Sequence, residues 1–334
     1  MAANDKYGFT KVALSGASGF VGRALCRRLL DEGAEVVAAC RKLSAPPLFS
    51  EHLFSQIQVG DIGASTDWSA ALDGVGTIFH LAAHVHVIPD AVAASSEEFF
   101  RVNTEGTEHL ARSAAASGAK RLVYVSSIKV NGKATHGDKK FTAADTPAPQ
   151  DPYAVSKWKA EQALHRVARE TGLEVVIVRP PLVYGPGVRG NFAQMLDIVA
   201  QRIPLPFASV HNLRDLVYVE NLVDALVTCA AHPAAAGQTY LVCDGESVST
   251  PDLLRRLAAE MQIRSSLFLF PPALLRLVAK VGGKSQQMER LLGSLQVDGD
   301  KMRTDLNWVP PYSLRQGLHA TAKWHQTNGH GELP

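Results

Sequence analysis

The segment that most constrains this chain is Gly16-Ala17-Ser18-Gly19-Phe20-Val21-Gly22, which follows the apolar run KVALS and opens an amphipathic run ending at Gly33. A strand that turns into a helix through three glycines has few physical uses. The turn is tight, the backbone can approach a pyrophosphate, and the helix N-terminus presents free N–H groups to negative charge. A glycine triplet alone is weak evidence and could be a structural turn. Here a strand precedes it, a helix follows it, and it heads a longer α/β array, so Gly16, Ser18, Gly19, Phe20, Val21 and Gly22 are the candidate phosphate-binding residues.

Down to Arg179, short apolar runs alternate with helical patterns of about a dozen residues, as in a parallel sheet covered by helices. The strand candidates are KVALSG, AEVVAAC, SQIQVGD, TIFHLAA, KRLVYVSS and LEVVIVRP. The expected fold is α/β, a doubly wound parallel sheet of the Rossmann type over residues 8–180. Pro180, Pro181, Pro186, Pro204 and Pro206 then break the rhythm. Residues 181–326 should form a smaller, mixed α/β substrate lobe, with some elements returning to the first domain.

Composition narrows the partners. With 34 Lys and Arg against 32 Asp and Glu, the net charge of +2 gives no general attraction to nucleic acid or acidic membranes. An anionic ligand must be held by a local site. Cys26, Cys40, Cys229 and Cys243 match neither a metal-ligand nor a disulfide spacing, and are expected as buried thiols in a reducing cytoplasm. No metal site is expected. No apolar run reaches the roughly 18 residues of a spanning helix. The longest, Leu267 to Val281, carries two prolines and Arg276 and reads as a packed or interfacial helix.

A dinucleotide site that prefers NAD usually carries an acid at the end of the second strand, to hold the ribose 2′-hydroxyl. This chain has Cys40-Arg41-Lys42 there. Two cations without a carboxylate should accept a 2′-phosphate, so the cofactor is expected to be NADP(H) or NAD(H). The alternative is that both cations are simply solvated. Asp61 and Ile62, after the third strand, are placed to touch the adenine, although Asp61 could equally cap a turn.

Tyr153-Ala154-Val155-Ser156-Lys157, preceded by Ser126-Ser127 at the fifth strand's end, is the candidate catalytic set. Residues four apart share a helix face, and a cation beside a phenol should lower its pKa. Tyr153 would then exchange a proton near neutral pH while a serine hydroxyl steadies the reacting oxygen. A Tyr-Lys pair alone would be a surface helix turn. Its order after the glycine turn and the Ser-Ser strand end favours chemistry.

Together these residues resemble the extended short-chain dehydrogenases/reductases, the group of sugar-nucleotide epimerases, dehydratases and 4-ketosugar reductases. The resemblance also rests on His80-Leu81-Ala82-Ala83, Val102-Asn103-Thr104-Glu105-Gly106-Thr107 and Arg214-Asp215-Leu216-Val217-Tyr218-Val219, and spans nearly the whole chain. It implies that Ser127 is the catalytic serine, with Ser126 as fallback, Tyr153 the acid/base and Lys157 the ribose-binding lysine. Leu81, Ala82, Ala83, Asn103 and Pro180 would line the cofactor site. His84, Lys129, Asn191 and Arg214 would face substrate, although Arg214 could merely pair with Asp215. His86 and His211 also lie in substrate-side loops. The family's Arg-x-x-Asn-x-Tyr-Gly-Pro is recognisable from Arg179 to Pro186, but Leu182 replaces the Asn, which leaves the anchoring of the sugar open. Family members commonly dimerise, which would use helices near 97–117 and 152–171 here. The same apolar stripes could instead pack on the sheet.

Ile128-Lys129 stands where 4,6-dehydratases carry an Asp-Glu pair, which argues against dehydration. Val125 to Gly132, Pro147 to Lys157 and Arg290 to Asp298 resemble bacterial O-antigen enzymes that reduce UDP-2-acetamido-2,6-dideoxy-4-hexulose. With the missing acid at Cys40, this favours an NAD(P)H-dependent 4-ketoreductase giving UDP-N-acetylquinovosamine or its 4-epimer, in surface polysaccharide supply. The alternative is a UDP-hexose or UDP-N-acetylhexosamine 4-epimerase with tightly held NAD. A non-catalytic dinucleotide sensor, or a reductase of small carbonyls, ranks below both.

Overall fold

The computed structural model describes residues 8–85, 96–283 and 285–328. Its strands are β1 (Lys11–Ser15), β2 (Glu35–Cys40), β3 (Phe54–Gln58), β4 (Thr77–His80), β5 (Arg121–Val125), β6 (Glu174–Arg179), β7 (Leu182–Tyr184), β8 (Leu216–Tyr218) and β9 (Thr239–Leu241). All six expected strands form. They join β9 in one parallel sheet of order β3-β2-β1-β4-β5-β6-β9, the doubly wound arrangement expected. Strand order reverses between β1 and β4, and in such sheets the crevice beyond these two carboxyl ends is where a ligand binds.

The helices are α1 (Phe20–Asp31), α2 (Ser69–Leu72), α3 (Ser96–Phe99), α4 (Gly106–Ala116), α5 (Pro152–Thr171), α6 (Asn191–Ala200), α7 (Val219–Ala231), α8 (Thr250–Glu260), α9 (Pro272–Val281), α10 (Ser285–Leu292), α11 (Asp300–Leu306) and α12 (Leu314–Asn328). One turn of π-helix, Phe100–Glu105, joins α3 to α4. Helix α5 has clear stop signals: the Asp151 carboxylate accepts from the Ala154 amide at 2.7 Å, Pro152 opens the first turn, and Gly172 closes it in the left-handed region at φ +79°.

Apolar faces of α1 and α7 cover one side of the sheet through Leu25, Leu29, Leu222 and Leu226. Leu110, Ala111, Ala114, Leu164 and Val167 of α4 and α5 cover the other. Each such leucine stabilises the fold by about 2 kcal/mol. The two helices proposed for dimerisation therefore spend these apolar residues on the sheet, and their outer face carries the ion pairs of Glu108 with Arg112 and Arg166 and of Arg112 with Glu170. A separate cluster built around Tyr184, Phe192, Leu196, Leu257 and Leu318 supports the C-terminal elements, where β7 and β8 form a two-stranded parallel sheet.

One expectation needs correction. Cys26, Cys229 and Cys243 are buried free thiols, but Cys40 is only half-buried. In the run Leu267 to Val281, helix α9 buries only Leu275 and Ala279, leaving Leu274, Leu277, Val278 and Val281 exposed. Among the described residues no helix is long and apolar enough to cross a membrane.

Candidate functional site

The glycine turn has the shape its composition implies. Gly16 sits at φ +81°, and a Cβ there would lie 2.8 Å from the Ala82 nitrogen. One on Gly22 would lie 2.0 Å from the Gly16 carbonyl. The Gly19 amide donates to Gly16 O at 3.0 Å, and α1 begins without a side-chain cap, leaving its first-turn N–H groups to a ligand. Ser18, Phe20 and Val21 lie in or just after this turn. This cradle, which a Cβ would fill, fits the diphosphate of NAD. Opposite it, the Leu81 amide bonds Ser15 O at 3.1 Å and the Ala82 amide bonds Ser15 Oγ at 3.3 Å, carrying Leu81, Ala82 and Ala83 to the crevice edge.

Arg41 and Lys42 line a cavity of about 410 Å³ together with Ser18, Cys40, Ser44, Gln56 and Asp61. Asp61 is exposed and lies 3.8 Å from the exposed Arg41 guanidinium. The neighbouring Ile62 carbonyl accepts from Arg101 at 3.3 Å.

Tyr153 and Lys157 share one face of α5, across from the end of β5. The Ser127 hydroxyl is within hydrogen-bonding reach of Tyr153 and draws its pKa down, but burial dominates and the Asp151 charge adds to it, pushing the phenol up to about 12. The expected lowering by Lys157 is absent. The Lys157 ammonium instead donates to Val125 O at 2.7 Å and lies 4.3 Å from the centre of the Tyr124 ring. Burial pulls Lys157 down to about 7, opposed by Glu161.

Ser126, the fallback serine, is buried and donates to Glu161 Oε1 at 2.5 Å. It faces away from the role left to Ser127, because successive residues at a strand end point to opposite faces. Asn103 is also fully committed. Its amide donates to His84 O at 3.1 Å and Ser156 Oγ at 3.0 Å, and its oxygen accepts from the His84 amide at 2.7 Å. It ties the loop after β4 to α5. Pro180 holds the serine loop by accepting from the Ile128 amide at 3.0 Å.

On the substrate side, Lys129 bonds Asp151 at 2.7 Å and sits 5.4 Å from the Tyr153 ring centre. His84 packs edge-on against Phe99, which packs against Tyr153. Arg214 is not paired with Asp215, whose carboxylate serves Ser247 and the Val297 amide. Its guanidinium donates to Gly293 O at 2.9 Å, and burial, followed by the charge of Arg290, lowers its pKa. Asn191 and His211 are exposed, Asn191 in the first turn of α6, and Leu182 is 45% exposed. His86 lies outside the described residues.

Sequence reasoning missed four residues. His80 is buried between Ser15 at 2.5 Å and Thr107 at 2.8 Å, and burial with the Lys157 charge lowers its pKa to about 3. Glu161 and Arg179 form a buried ion pair behind the serines. Arg290 faces Arg214 electrostatically. His80, Arg179 and Arg290 stood only as members of quoted segments, and the signal for Glu161 was its position four residues past Lys157 on the same helical face.

The chain is similar to known proteins along most of its length. Residues 12–243 match the model of the NAD dependent epimerase/dehydratase family. The chain is 40% identical over 324 residues to a UDP-glucose 4-epimerase of Vibrio cholerae, covering 97% of this chain and 98% of that protein. It is 28% identical over 336 residues to an N-acetyl-alpha-D-glucosaminyl-diphospho-ditrans,octacis-undecaprenol 4-epimerase of Escherichia coli O157:H7, covering 94% of each. Among solved structures it resembles UDP-glucuronic acid 4-epimerase of Bacillus cereus in complex with NAD in fold, with TM-score 0.77 at 21% identity, covering 95% of this chain and 99% of the other. MoeE5 in complex with UDP-glucuronic acid and NAD gives TM-score 0.75 at 26% identity, over 95% and 99%. With the glycine cradle, Tyr153 and Lys157 in place, the chain belongs to the NAD-dependent epimerase/dehydratase family.

Proposed function

We propose that the protein is a UDP-hexose or UDP-N-acetylhexosamine 4-epimerase. The observation that carries this reading is the 40% identity to a UDP-glucose 4-epimerase along 97% of the chain. It reverses the ranking drawn from sequence, which put the 4-ketoreductase first. Bound NAD would supply reversible oxidation and reduction at C4 of the sugar. Tyr153 takes the O4 proton as the ketone forms and returns it after the ring has turned over. Ser127 donates a hydrogen bond to O4, where negative charge develops. Lys157 holds the cofactor ribose, and Arg214 with Arg290 clamps the diphosphate.

The reductase remains a second reading because Arg41 and Lys42 line the cavity beside the turn, where they suit a 2′-phosphate. One assay separates the two. Purified protein is given UDP-glucose or UDP-N-acetylglucosamine, and products are resolved by chromatography. The 4-epimer, formed without added reduced cofactor, supports the epimerase. Inertness toward both, with stoichiometric oxidation of NADPH on a UDP-4-keto-6-deoxy-N-acetylhexosamine, replaces it with the reductase.

A further inference from the structure

We propose that the buried Glu161–Arg179 pair is a positioning device for the active site, seating the serine loop against α5 and fixing a carboxylate one helical turn beyond Lys157. The inference rests on the reading of Tyr153 and Lys157 as the catalytic pair. Glu161 is 0% exposed and Arg179 3%. Arg179 grips the carboxylate in two places, Nε to Oε1 at 2.9 Å and a terminal nitrogen to Oε2 at 2.5 Å. Its other terminal nitrogen donates to Asn131 Oδ1 at 3.0 Å, and Asn131 donates onward to Thr142 O at 2.7 Å. The same carboxylate accepts from Ser126.

One ion pair thus joins α5, the end of β5, the end of β6 and the segment after Val130. Ser127 is covalently next to Ser126, and Pro180 is next to Arg179, so the clamp fixes both flanks of the catalytic serine. A buried ion pair is seldom the cheapest way to fill a core, since well-packed apolar side chains of equal volume usually do at least as well for stability. Its position, one helical turn beyond Lys157, fits a role in the site.

The groups facing Lys157 can be named. His80 and Tyr124 approach from the sheet, while Tyr153 and Glu161 share its helix. His80 is held neutral by burial, and burial raises both phenols rather than charging them against the ammonium. Glu161 is the charged group, among the described residues, that works against burial to keep the ammonium protonated. Without it, Lys157 would lose its proton at lower pH.

The test is a titration of ¹³C-lysine-labelled protein followed by NMR, with the Lys157 resonance assigned by its loss in Lys157→Met. In Glu161→Gln the Lys157 midpoint should move about one pH unit lower, and the high-pH limb of kcat should move with it. The double variant Glu161→Gln/Arg179→Met leaves no unpaired buried charge and should move the midpoint in the same direction but by less, because the Arg179 charge goes too, which covers failure of the single variant to fold. Ser126→Ala cuts only the tie to the serine loop. It should lower kcat about threefold, within what one hydrogen bond contributes, and leave the Lys157 midpoint in place. An unchanged midpoint in both Glu161 variants, with kcat reduced equally at every pH, would overturn the proposal and leave the pair a structural element. If the parent shows no turnover on any UDP-sugar, the functional reading fails, while the titration still decides this one.

Discussion

The cofactor half and the substrate half of this site are held by different kinds of structure. The first is made at the ends of neighbouring parallel strands: a seven-residue turn after β1, the Leu81–Ala83 segment after β4, and the serines after β5, each positioned by the strand that delivers it. The second hangs on isolated bridges between distant segments. Arg214 pairs with Val248 on one side and Leu295 on the other, and its guanidinium is fixed by Gly293, 79 residues away. A ladder constrains direction before any side chain is chosen, whereas a bridge is only as well placed as the loops that meet there. The cofactor half should therefore tolerate change on the substrate side with little loss.

Four measurements would break or sharpen that contrast. Tyr153→Phe keeps the ring that packs on Phe99 but removes the transferable proton. Turnover should fall about 10³-fold with NAD affinity unchanged, and near-parental turnover would show that the proton travels another way.

The second concerns pH. His80 lies within the cofactor half, between Ser15 of β1 and Thr107 of α4, and stays neutral in the fold down to about pH 3 against 6.5 in the free side chain. The unfolded chain binds this proton first, so the stability it contributes is complete above about pH 6.5 and is lost as pH falls toward 3. By pH 4 the loss should reach roughly 3 kcal/mol. Thermal unfolding of His80→Gln should show a visibly flatter acid limb, and an identical limb would place the acid sensitivity elsewhere.

Arg214→Ala should raise KM for the sugar nucleotide about 10- to 100-fold, the worth of a charge-assisted contact, while kcat and NAD binding stay within about twofold. A parallel loss of NAD affinity in calorimetry would mean that the two halves are mechanically coupled. The smallest effect is expected at Arg41, exposed and already near Asp61. Arg41→Ala should weaken NADPH about tenfold and NADH hardly at all. Equal weakening would remove the argument for a 2′-phosphate site.

The sheet, the glycine turn and the pair Tyr153/Lys157 were legible in the sequence, because each depends on short-range geometry. A three-glycine turn and an i, i+4 spacing carry their meaning within a few residues. The environment of that pair was not legible. Spacing alone predicts an ammonium lowering a phenol, but the fold buries both groups and turns Lys157 toward Val125 O and the Tyr124 ring. Ser126 and Ser127 cannot be told apart by composition, and only the carboxylate of Glu161 behind the strand end removes one of them. Arg290 belongs to a helix 76 positions beyond Arg214, and nothing in either segment indicates that the charge of one acts on the other. What the chain's local patterns determined by themselves is the type of fold, the shape of the glycine cradle and the placing of Tyr153 and Lys157 on one face of a helix. The tertiary structure decided which serine is committed to Glu161 and how burial sets the charge of the lysine, because those outcomes depend on desolvation and on long-range contacts that exist only after the chain has closed on itself.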